Sequence, residues 1–302
     1  MVLFGPTGVG KTEALSQILT TDFEVISADS VQVYRYLDIG SAKPDPATLA
    51  AIPHHLVDLI DPSEEFNCGD FVRSTEALIA AIHARGRMPV VAGGSAYYLR
   101  NLVFGLPDGP GADMVVRSAL QRECAERGVG AMWKELRETD PVSAEQIPPG
   151  DTYRILRALE IYRSTGRRRS EIRVPEVKRT DLRMLLLGLW RERQELYARI
   201  DRRVDRMFSA GLVDEVKGLV RRGYGARDPG LRGIGYREFF QMRGGCWSIG
   251  DVRSAIKADT RRYAKRQMTF FRSIDGVRWL GPGCPNSLSE MLRDFCREET
   301  GR

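Results

Sequence analysis

The sequence has few cysteines and histidines and no long hydrophobic run. Its 302 residues include 5 cysteines and 3 histidines. Because no C-x-x-C pair or zinc-type Cys/His spacing occurs among them, a disulfide framework or a metal finger is not expected. No stretch approaches the roughly 18 consecutive apolar residues of a membrane helix. The first predicted strand follows Met1 directly, which leaves no room for a signal or transit peptide. We therefore expect a cytoplasmic protein with free thiols.

Positive charge is in excess and is unevenly distributed. The formal net charge is +6 and the sequence pI is about 9.1, which by itself is only weak evidence for an anionic partner. Basic residues concentrate between residues 153 and 179, and a second basic cluster lies at residues 261–272. Either cluster is also compatible with an ordinary solvated helix surface, so charge alone leaves the choice of partner open.

Short apolar runs that end in loop-forming residues alternate with helical stretches. The pattern predicts strands at residues 2–4, 23–27, 88–92 and 184–190, and helices at residues 13–19 and from residue 96 onward. A strand–loop–helix–strand order is typical of α/β proteins with a doubly wound parallel sheet.

The strongest turn signal in the chain is the glycine- and proline-rich segment at residues 105–111. Residues 114–137 and 151–164 then show helical periodicity without strand signals, before the apolar run at 184–190 resumes the sheet. We therefore predict a core formed by residues 1–111 and 181–302, with a helical insertion at residues 112–180. The chain after residue 192 is predicted to be mostly helical.

A complete phosphate-binding motif, G-x-x-x-x-G-K-[ST], lies between the first predicted strand and the first predicted helix. It consists of Gly5, Pro6, Thr7, Gly8, Val9, Gly10, Lys11 and Thr12, here called the phosphate loop. Glycines let backbone N–H groups turn towards phosphate oxygens, and the helix N-terminus adds positive potential. Lys11 adds a cation, and the Thr12 hydroxyl suits a Mg²⁺ shell. The context favours a P-loop NTPase-like core that binds a diphosphate group over a glycine-rich turn without a ligand.

The phosphate loop alone does not identify the reaction. ATP hydrolysis or kinase chemistry favours an apolar strand that ends in a magnesium-binding carboxylate. The predicted strand at residues 88–92 is instead followed by Gly93, Gly94 and Ser95. A small-molecule P-loop kinase therefore remains an alternative, but a weak one.

Further motifs follow the phosphate loop in a fixed order. Residues 26–34 read ISADSVQVY, residues 37–44 read LDIGSAKP and residues 53–58 read PHHLVD. Later come VAGGS at 91–95, RILRALE at 154–160, GIGYRE at 233–238 and KRQ at 265–267. Together these motifs resemble the tRNA dimethylallyltransferase (tRNA isopentenyltransferase) family of the bacterial type, and the resemblance spans about the whole chain.

The resemblance implies transfer of a dimethylallyl group from dimethylallyl diphosphate to an adenosine of tRNA. The acceptor is the exocyclic amine of the adenosine 3′-adjacent to the anticodon, and the product is N6-isopentenyladenosine. Asp29 would take the amine proton, because an aryl amine is a poor nucleophile until its proton has an acceptor. The phosphate loop would hold the donor diphosphate with Mg²⁺, and Arg203 would stabilise its departure. Ser95, where most tRNA-acting members have threonine, keeps a hydroxyl beside the reacting groups.

Without the resemblance, two of these assignments have ordinary alternatives. Asp29 also fits a helix cap or a magnesium ligand. Arg203 also fits a solvated helix face, on which Arg199, Arg202 or Arg206 are possible substitutes for it.

The same resemblance implies a set of tRNA-contacting residues in four segments. These are Asp29, Ser30, Val31 and Gln32; Tyr153, Arg154, Ile155, Leu156 and Arg157; Arg232, Gly233, Ile234, Gly235, Tyr236 and Arg237; and Lys265, Arg266 and Gln267. A base must leave the anticodon stack before its amine can react. The basic insertion would therefore hold the RNA backbone, while Gln32, Tyr236 and Arg237 would contact displaced bases. We expect the enzyme to act as a monomer.

One alternative acceptor stays open at this point. Serine at the position of Ser95 also occurs in the related adenylate isopentenyltransferases, which prenylate free AMP or ADP. The helical insertion and the KRQ motif favour tRNA instead.

Overall fold

The computed structural model describes residues 1–18, 22–241, 248–282, 291 and 294–295. The strands are β1 (Val2–Phe4), β2 (Phe23–Ala28), β3 (His54–His55), β4 (Met88–Gly93), β5 (Leu186–Leu189) and β6 (Arg278–Leu280). The helices are α1 (Lys11–Ile18), α2 (Pro46–Ala51), α3 (Cys68–Ala84), α4 (Ala96–Phe104), α5 (Met114–Arg127), α6 (Val129–Thr139), α7 (Pro141–Gln146), α8 (Thr152–Thr165), α9 (Arg193–Ser209), α10 (Leu212–Arg221), α11 (Arg237–Gln241) and α12 (Ile249–Phe271). Among these residues, none of the helices is both long enough and apolar enough to span a bilayer.

The strands form one parallel sheet in the order β3-β2-β4-β1-β5-β6. This confirms the predicted α/β class and its parallel sheet. The four predicted strands are present, although the run at 184–190 contributes only Leu186–Leu189. The two edge strands, β3 and β6, were not predicted, since neither is a continuous apolar run. Because β1, β2 and β4 are neighbours and parallel, the loops after them meet at one edge of the sheet.

The chain divides into two compact units, residues 1–100 with 180–302, and residues 101–179. In the first unit, one apolar cluster packs the sheet against α1 and α9 and includes Leu3, Val90, Leu187 and Ile200. A second cluster joins α9, α10 and α12 to residues 33–37. This second cluster fixes the positions of α9 and α12, which carry several of the side chains described below.

The second unit has its own apolar core, formed between α5, α6, α7 and α8. Asp113 accepts hydrogen bonds from two backbone N–H groups at the start of α5, and Asp151 accepts one, from Arg154, at the start of α8. Gly128, with φ +80°, ends α5 and begins α6. The helical character predicted for this region is therefore present.

The boundary predicted at residue 112 differs from the one in the structure, which lies at residue 101. The glycine- and proline-rich segment at residues 105–111 lies inside the second unit. The backbone N–H of Asp108 donates to the carbonyl of Arg173 at 3.0 Å, and that of Arg179 donates to the carbonyl of Val103 at 3.1 Å. These bonds tie the end of α4 and the following segment to residues 172–179, so both belong to the second unit.

Candidate active site

The phosphate loop connects β1 to α1, which begins at Lys11. Gly5 lies so close to the neighbouring strand that an added Cβ would stand 2.7 Å from the Leu189 carbonyl oxygen. Gly8 and Gly10 have φ values of +79° and +106°, which L-residues with a side chain rarely adopt. The backbone conformation of the loop therefore requires glycine at these positions. The loop presents its N–H groups at the N-terminus of α1, as an anion site requires.

The Lys11 ammonium lies inside this loop. It donates to the carbonyl oxygens of Gly5 at 2.8 Å and Pro6 at 3.1 Å. Burial, reinforced by the positive charge of Arg203 and opposed by the carboxylate of Asp29, lowers the pKa of Lys11 to about 8. Lys11 is therefore a weakly solvated cation, and its attraction for an anion is stronger here than in water.

Three arginines contact the phosphate loop, one from the segment after β5 and two from α9. Arg191 donates to the Val9 carbonyl at 2.7 Å, and Arg199 donates to the Gly8 carbonyl at 2.9 Å while pairing with Glu13. Arg203, one turn after Arg199, instead donates to the Thr7 hydroxyl at 3.2 Å. Arg203 is therefore a better candidate than Arg199 for a contact with diphosphate. The guanidinium of Arg199 already donates to a loop carbonyl and to the Glu13 carboxylate.

Arg191 and Arg199 were not expected as supports of the loop. The spacing of four residues between Arg199 and Arg203 places both on one face of α9 and could have indicated this role. No comparable local signal exists for Arg191.

Asp29 follows β2 and faces the phosphate loop. Its Oδ1 accepts the backbone N–H groups of Val31 at 2.9 Å and Gln32 at 3.3 Å. Among the hydrogen bonds of the described residues, none is made to its Oδ2. The charge of Asp29 opposes the lowering of the Lys11 and Arg203 pKa values that burial causes. One oxygen of this carboxylate is thus used to fix the turn, and the other is available as a proton acceptor.

Ser95, after β4, joins the two strand ends. Its hydroxyl accepts the backbone N–H of Ser30 at 2.9 Å, and its own N–H donates to the Ala28 carbonyl at 3.1 Å. There is no room for a side chain at Gly93, where a Cβ would stand 2.1 Å from the Ala28 carbonyl oxygen. Ser95 therefore holds the backbone next to Asp29.

Two side chains of α12 reach the same place. Gln267 accepts the Thr7 backbone N–H at 2.9 Å and donates to the Gly94 carbonyl at 2.6 Å. The Tyr263 hydroxyl lies 3.4 Å from the Gly94 oxygen. Burial, together with the nearby charge of Asp29, raises the pKa of Tyr263 to about 12, so this phenol stays protonated. Tyr263 was missed by the sequence reasoning.

The phosphate loop, Asp29, Tyr263 and Gln267 line one cavity of about 1580 Å³ within the first unit, whereas Ser95 lies behind its wall. Of the predicted site residues, its walls contain Thr7, Gly8, Gly10, Lys11, Thr12, Asp29, Ser30, Val31, Gln32, Arg203, Arg232, Gly233, Ile234, Gly235, Arg237, Arg266 and Gln267. Arg202 and Arg206 add further positive charge. A phosphate-binding loop and a carboxylate thus share one large, arginine-rich cavity.

Comparison with known proteins identifies the family. The family model described as IPP transferase matches residues 32–274. The tRNA dimethylallyltransferase 1 of Syntrophotalea carbinolica is 44% identical over 93% of this chain and 90% of its own length, and the tRNA dimethylallyltransferase of Geobacter sulfurreducens is 39% identical over 98% and 96%. The chain belongs to the tRNA dimethylallyltransferase family.

Solved structures agree with this membership. The tRNA isopentenylpyrophosphate transferase of Bacillus halodurans is 35% identical, with a TM-score of 0.71 over 99% of this chain and 97% of its own. A eukaryotic dimethylallyltransferase acting on tRNA has a TM-score of 0.76 at 27% identity, over 98% of this chain and 79% of its own. The P-loop NTPase-like fold predicted from the sequence is confirmed by these structures.

Two residues expected to contact tRNA in this dimethylallyltransferase-family chain, Tyr236 and Gln267, are instead buried. Tyr236 has no exposed surface, and its hydroxyl bonds to Glu215 and to the backbone of Ser41. Gln267 is 2% exposed and joins two loops. Neither side chain is available to a base in this structure, because the polar end of each is hydrogen-bonded inside the protein. Lys265, between them in the expected set, is exposed on α12.

The residues expected to contact tRNA in the second unit also differ in accessibility. Tyr153 and Arg154 are exposed at the start of α8, while Ile155 lies in the core and Leu156 packs against it. Arg157 donates to Glu160 at 2.5 Å and to the carbonyl oxygens of Pro110 and Gly111. The side chain of Glu160 is only 1% exposed. Arg157 is therefore a structural cation, and Arg154 is the better candidate for an RNA phosphate contact.

We expect Arg157→Glu and Arg154→Glu to have different effects, although both reverse one charge of the same helix. Arg157→Glu places a second carboxylate beside the buried Glu160, which keeps Arg117 and the backbone N–H of Asp113 as partners. It is expected to destabilise the protein by about 3 kcal/mol. Arg154→Glu is expected to change stability by less than about 0.5 kcal/mol, since Arg154 is 62% exposed. Denaturant unfolding of both variants checks this, and equal midpoints would contradict the assignment of Arg157.

Proposed function

We propose that this protein transfers the dimethylallyl group of dimethylallyl diphosphate to the exocyclic amine of the adenosine 3′-adjacent to the tRNA anticodon. The products are N6-isopentenyladenosine and diphosphate. The observation that carries the proposal is the position of Asp29, whose carboxylate lines the same cavity as the phosphate loop. One site therefore offers a diphosphate-binding loop next to a proton acceptor, and family membership supplies the two substrates.

The reaction forms a bond between the amine nitrogen and the prenyl carbon as the bond from that carbon to the diphosphate oxygen breaks. The electron pair of the broken bond leaves with diphosphate, so negative charge grows where Lys11 and Arg203 lie. The proton of the attacking amine passes to the Oδ2 of Asp29, which no described group occupies. Gln267 holds the phosphate loop through the backbone of Thr7, and Ser95 holds the turn after β2 through the backbone of Ser30. These two bonds fix the positions of Lys11 and Asp29 relative to each other.

The residues of the loop fit a Mg²⁺ ion that arrives with the diphosphate. Thr12 lines the cavity at the start of α1, and the described residues contain no cluster of three acidic, histidine or cysteine side chains. Mg²⁺ typically keeps several waters and takes few protein ligands besides substrate phosphates. Thr12 would hold the ion, which would supply further neutralisation of the leaving diphosphate.

The acceptor side of the cavity suits a nucleic acid. Arg202, Arg206, Arg232 and Arg266 line it, and phosphate contacts by such side chains position RNA without reading its sequence. The cavity volume of about 1580 Å³ exceeds that of ordinary small-molecule pockets, roughly 300–1,000 Å³. Both features favour tRNA over AMP or ADP.

Since the cavity lies within one chain, we also propose that a monomer suffices, and that it acts in the cytoplasm, where tRNA is its substrate.

The activity should decline at alkaline pH through Lys11. The quantity kcat/KM for the donor reports ionisations of the free enzyme, in which the pKa of Lys11 is lowered to about 8. As pH rises through that value, Lys11 loses its proton and its attraction for diphosphate, so kcat/KM should fall above about pH 8. Arginine stays protonated at these pH values. In Lys11→Arg, whatever its absolute rate, the decline near pH 8 should be absent, and its persistence would assign it to another group.

Acceptor competition tests the proposed function. Purified protein, Mg²⁺ and radiolabelled dimethylallyl diphosphate are offered unmodified tRNA, AMP and ADP in parallel. Label in tRNA alone, at the adenosine next to the anticodon, is the expected result. Label in AMP or ADP would overturn the assignment of the acceptor, and ATP consumption without a prenyl donor would indicate a kinase.

A further inference from the structure

One wall of the cavity is a short segment after β2, residues 38–44, here called the wall segment. All seven of its residues line the cavity. Ala42 has a φ of +48°, which is uncommon for a residue with a Cβ. Such a conformation persists only where the surroundings fix it. The side chains that fix this segment from the side opposite the cavity therefore determine the shape of the cavity wall.

Glu215, on α10, holds the first half of the wall segment. Its Oε2 accepts the backbone N–H groups of Asp38 at 3.0 Å and Ile39 at 2.7 Å, and its Oε1 accepts that of Gly40 at 3.1 Å. Three successive N–H groups thus converge on one carboxylate. An amide or an apolar side chain cannot accept the same set, because only ionised carboxylates provide two oxygens without a donor.

Tyr236 completes this support. Its hydroxyl donates to the Oε1 of Glu215 at 2.8 Å and accepts the backbone N–H of Ser41 at 3.2 Å. The ring packs against Gly40, where an added Cβ would stand 2.5 Å from the Tyr236 Cζ. The pair Glu215 and Tyr236 therefore bonds to four consecutive backbone N–H groups, those of residues 38–41.

The wall segment is also connected to the turn after β2 that contains Asp29. The Gln32 side chain donates to the Ala42 carbonyl at 3.3 Å and accepts the Ser27 hydroxyl at 3.1 Å. The backbone N–H of the same Gln32 donates to Oδ1 of Asp29. A continuous set of hydrogen bonds thus runs from Glu215 through the wall segment to Asp29.

We propose that Glu215 and Tyr236 are positioning residues, which set the acceptor wall of the cavity and so place the tRNA adenosine against Asp29. This inference rests on the proposed function. It also gives Tyr236 a role different from base contact, because its hydroxyl acts on the wall segment from the side away from the substrate. Neither residue contacts the phosphate loop in the described hydrogen bonds, so the donor site should be independent of both.

Steady-state kinetics of Tyr236→Phe and Glu215→Gln test the proposal, with Asp214→Asn as the matched control. Asp214 precedes Glu215 on α10 and is exposed, and its one ion pair among the described residues is a distant contact with Lys217. We expect the KM for tRNA to rise about 10-fold in both test variants, while the KM for dimethylallyl diphosphate changes by less than about twofold. The control should match the wild type in both constants.

A merely structural role would have a different signature. Loss of folded protein lowers the apparent turnover number and leaves both KM values unchanged, so that result would overturn the inference. If the wild type transferred no prenyl group to tRNA, that result would contradict the proposed function, and with it the inference that depends on it. Hydrogen exchange gives a readout independent of activity. The amides of residues 38–41 should exchange faster in Tyr236→Phe, while those of the phosphate loop should not, and unchanged exchange at both would overturn the positioning role.

Discussion

Asp29→Asn is expected to lower the turnover number for prenyl transfer by about 10²–10⁴-fold, with the KM for tRNA changed by less than about threefold. Asparagine keeps an Oδ1 that can accept the N–H groups of Val31 and Gln32, so the turn after β2 should persist. The change removes the basic oxygen that would take the amine proton. Substitution by alanine, in contrast, would remove the turn contacts as well and confuse the two effects.

Single-turnover transfer from labelled dimethylallyl diphosphate measures the chemical step, and a filter-binding assay measures tRNA affinity. The exposed Asp214→Asn is the control for the loss of one carboxylate elsewhere on the chain. If Asp29→Asn reacted at a rate close to that of the wild type, Asp29 would be a turn-forming residue only. A parallel loss of tRNA affinity would instead indicate that the carboxylate contacts the acceptor in its ground state.

The parts of this site that local sequence predicts are those in which one segment determines its own conformation. The phosphate loop needs glycines at positive φ and a helix that begins at Lys11, and both are visible in eight residues. Asp29 and Ser95 follow apolar runs that form adjacent strands, so their proximity follows from parallel-sheet topology. The sheet itself was predictable for the same reason, except at edge strands of two or three residues.

The parts that were not predictable depend on partners distant in the sequence. Tyr236 and Gln267 were expected to contact tRNA because the motifs that contain them resemble those of the family. Their burial depends on Glu215 and on the Thr7 backbone, which no local pattern connects to them. The boundary of the second unit was misplaced in the same way. The turn signal at residues 105–111 predicted a boundary after it, and only the pairing of this region with residues 172–179 places it in the second unit.

Lys11→Met is expected to lower the turnover number by about 10²–10³-fold, because it removes a cation from the position where the leaving diphosphate gains charge. Lys11 is buried strongly enough to lower its pKa to about 8, and a charge in such surroundings interacts more strongly with a developing anion than one in water. Methionine has a similar length, so the loop around it should keep its volume. The effect should appear mainly in the turnover number rather than in the KM for tRNA.

Arg199→Met is the matched control for this substitution. It also replaces a long cationic side chain by methionine and also removes a hydrogen bond to a carbonyl of the phosphate loop, that of Gly8. Arg199, however, pairs with Glu13, whose side chain is 63% exposed, so solvent should screen the carboxylate that the substitution leaves unpaired. We therefore expect Arg199→Met to lower the turnover number by no more than about 10-fold. Equal losses in the two variants would mean that Lys11 supports the loop and does not stabilise the leaving group.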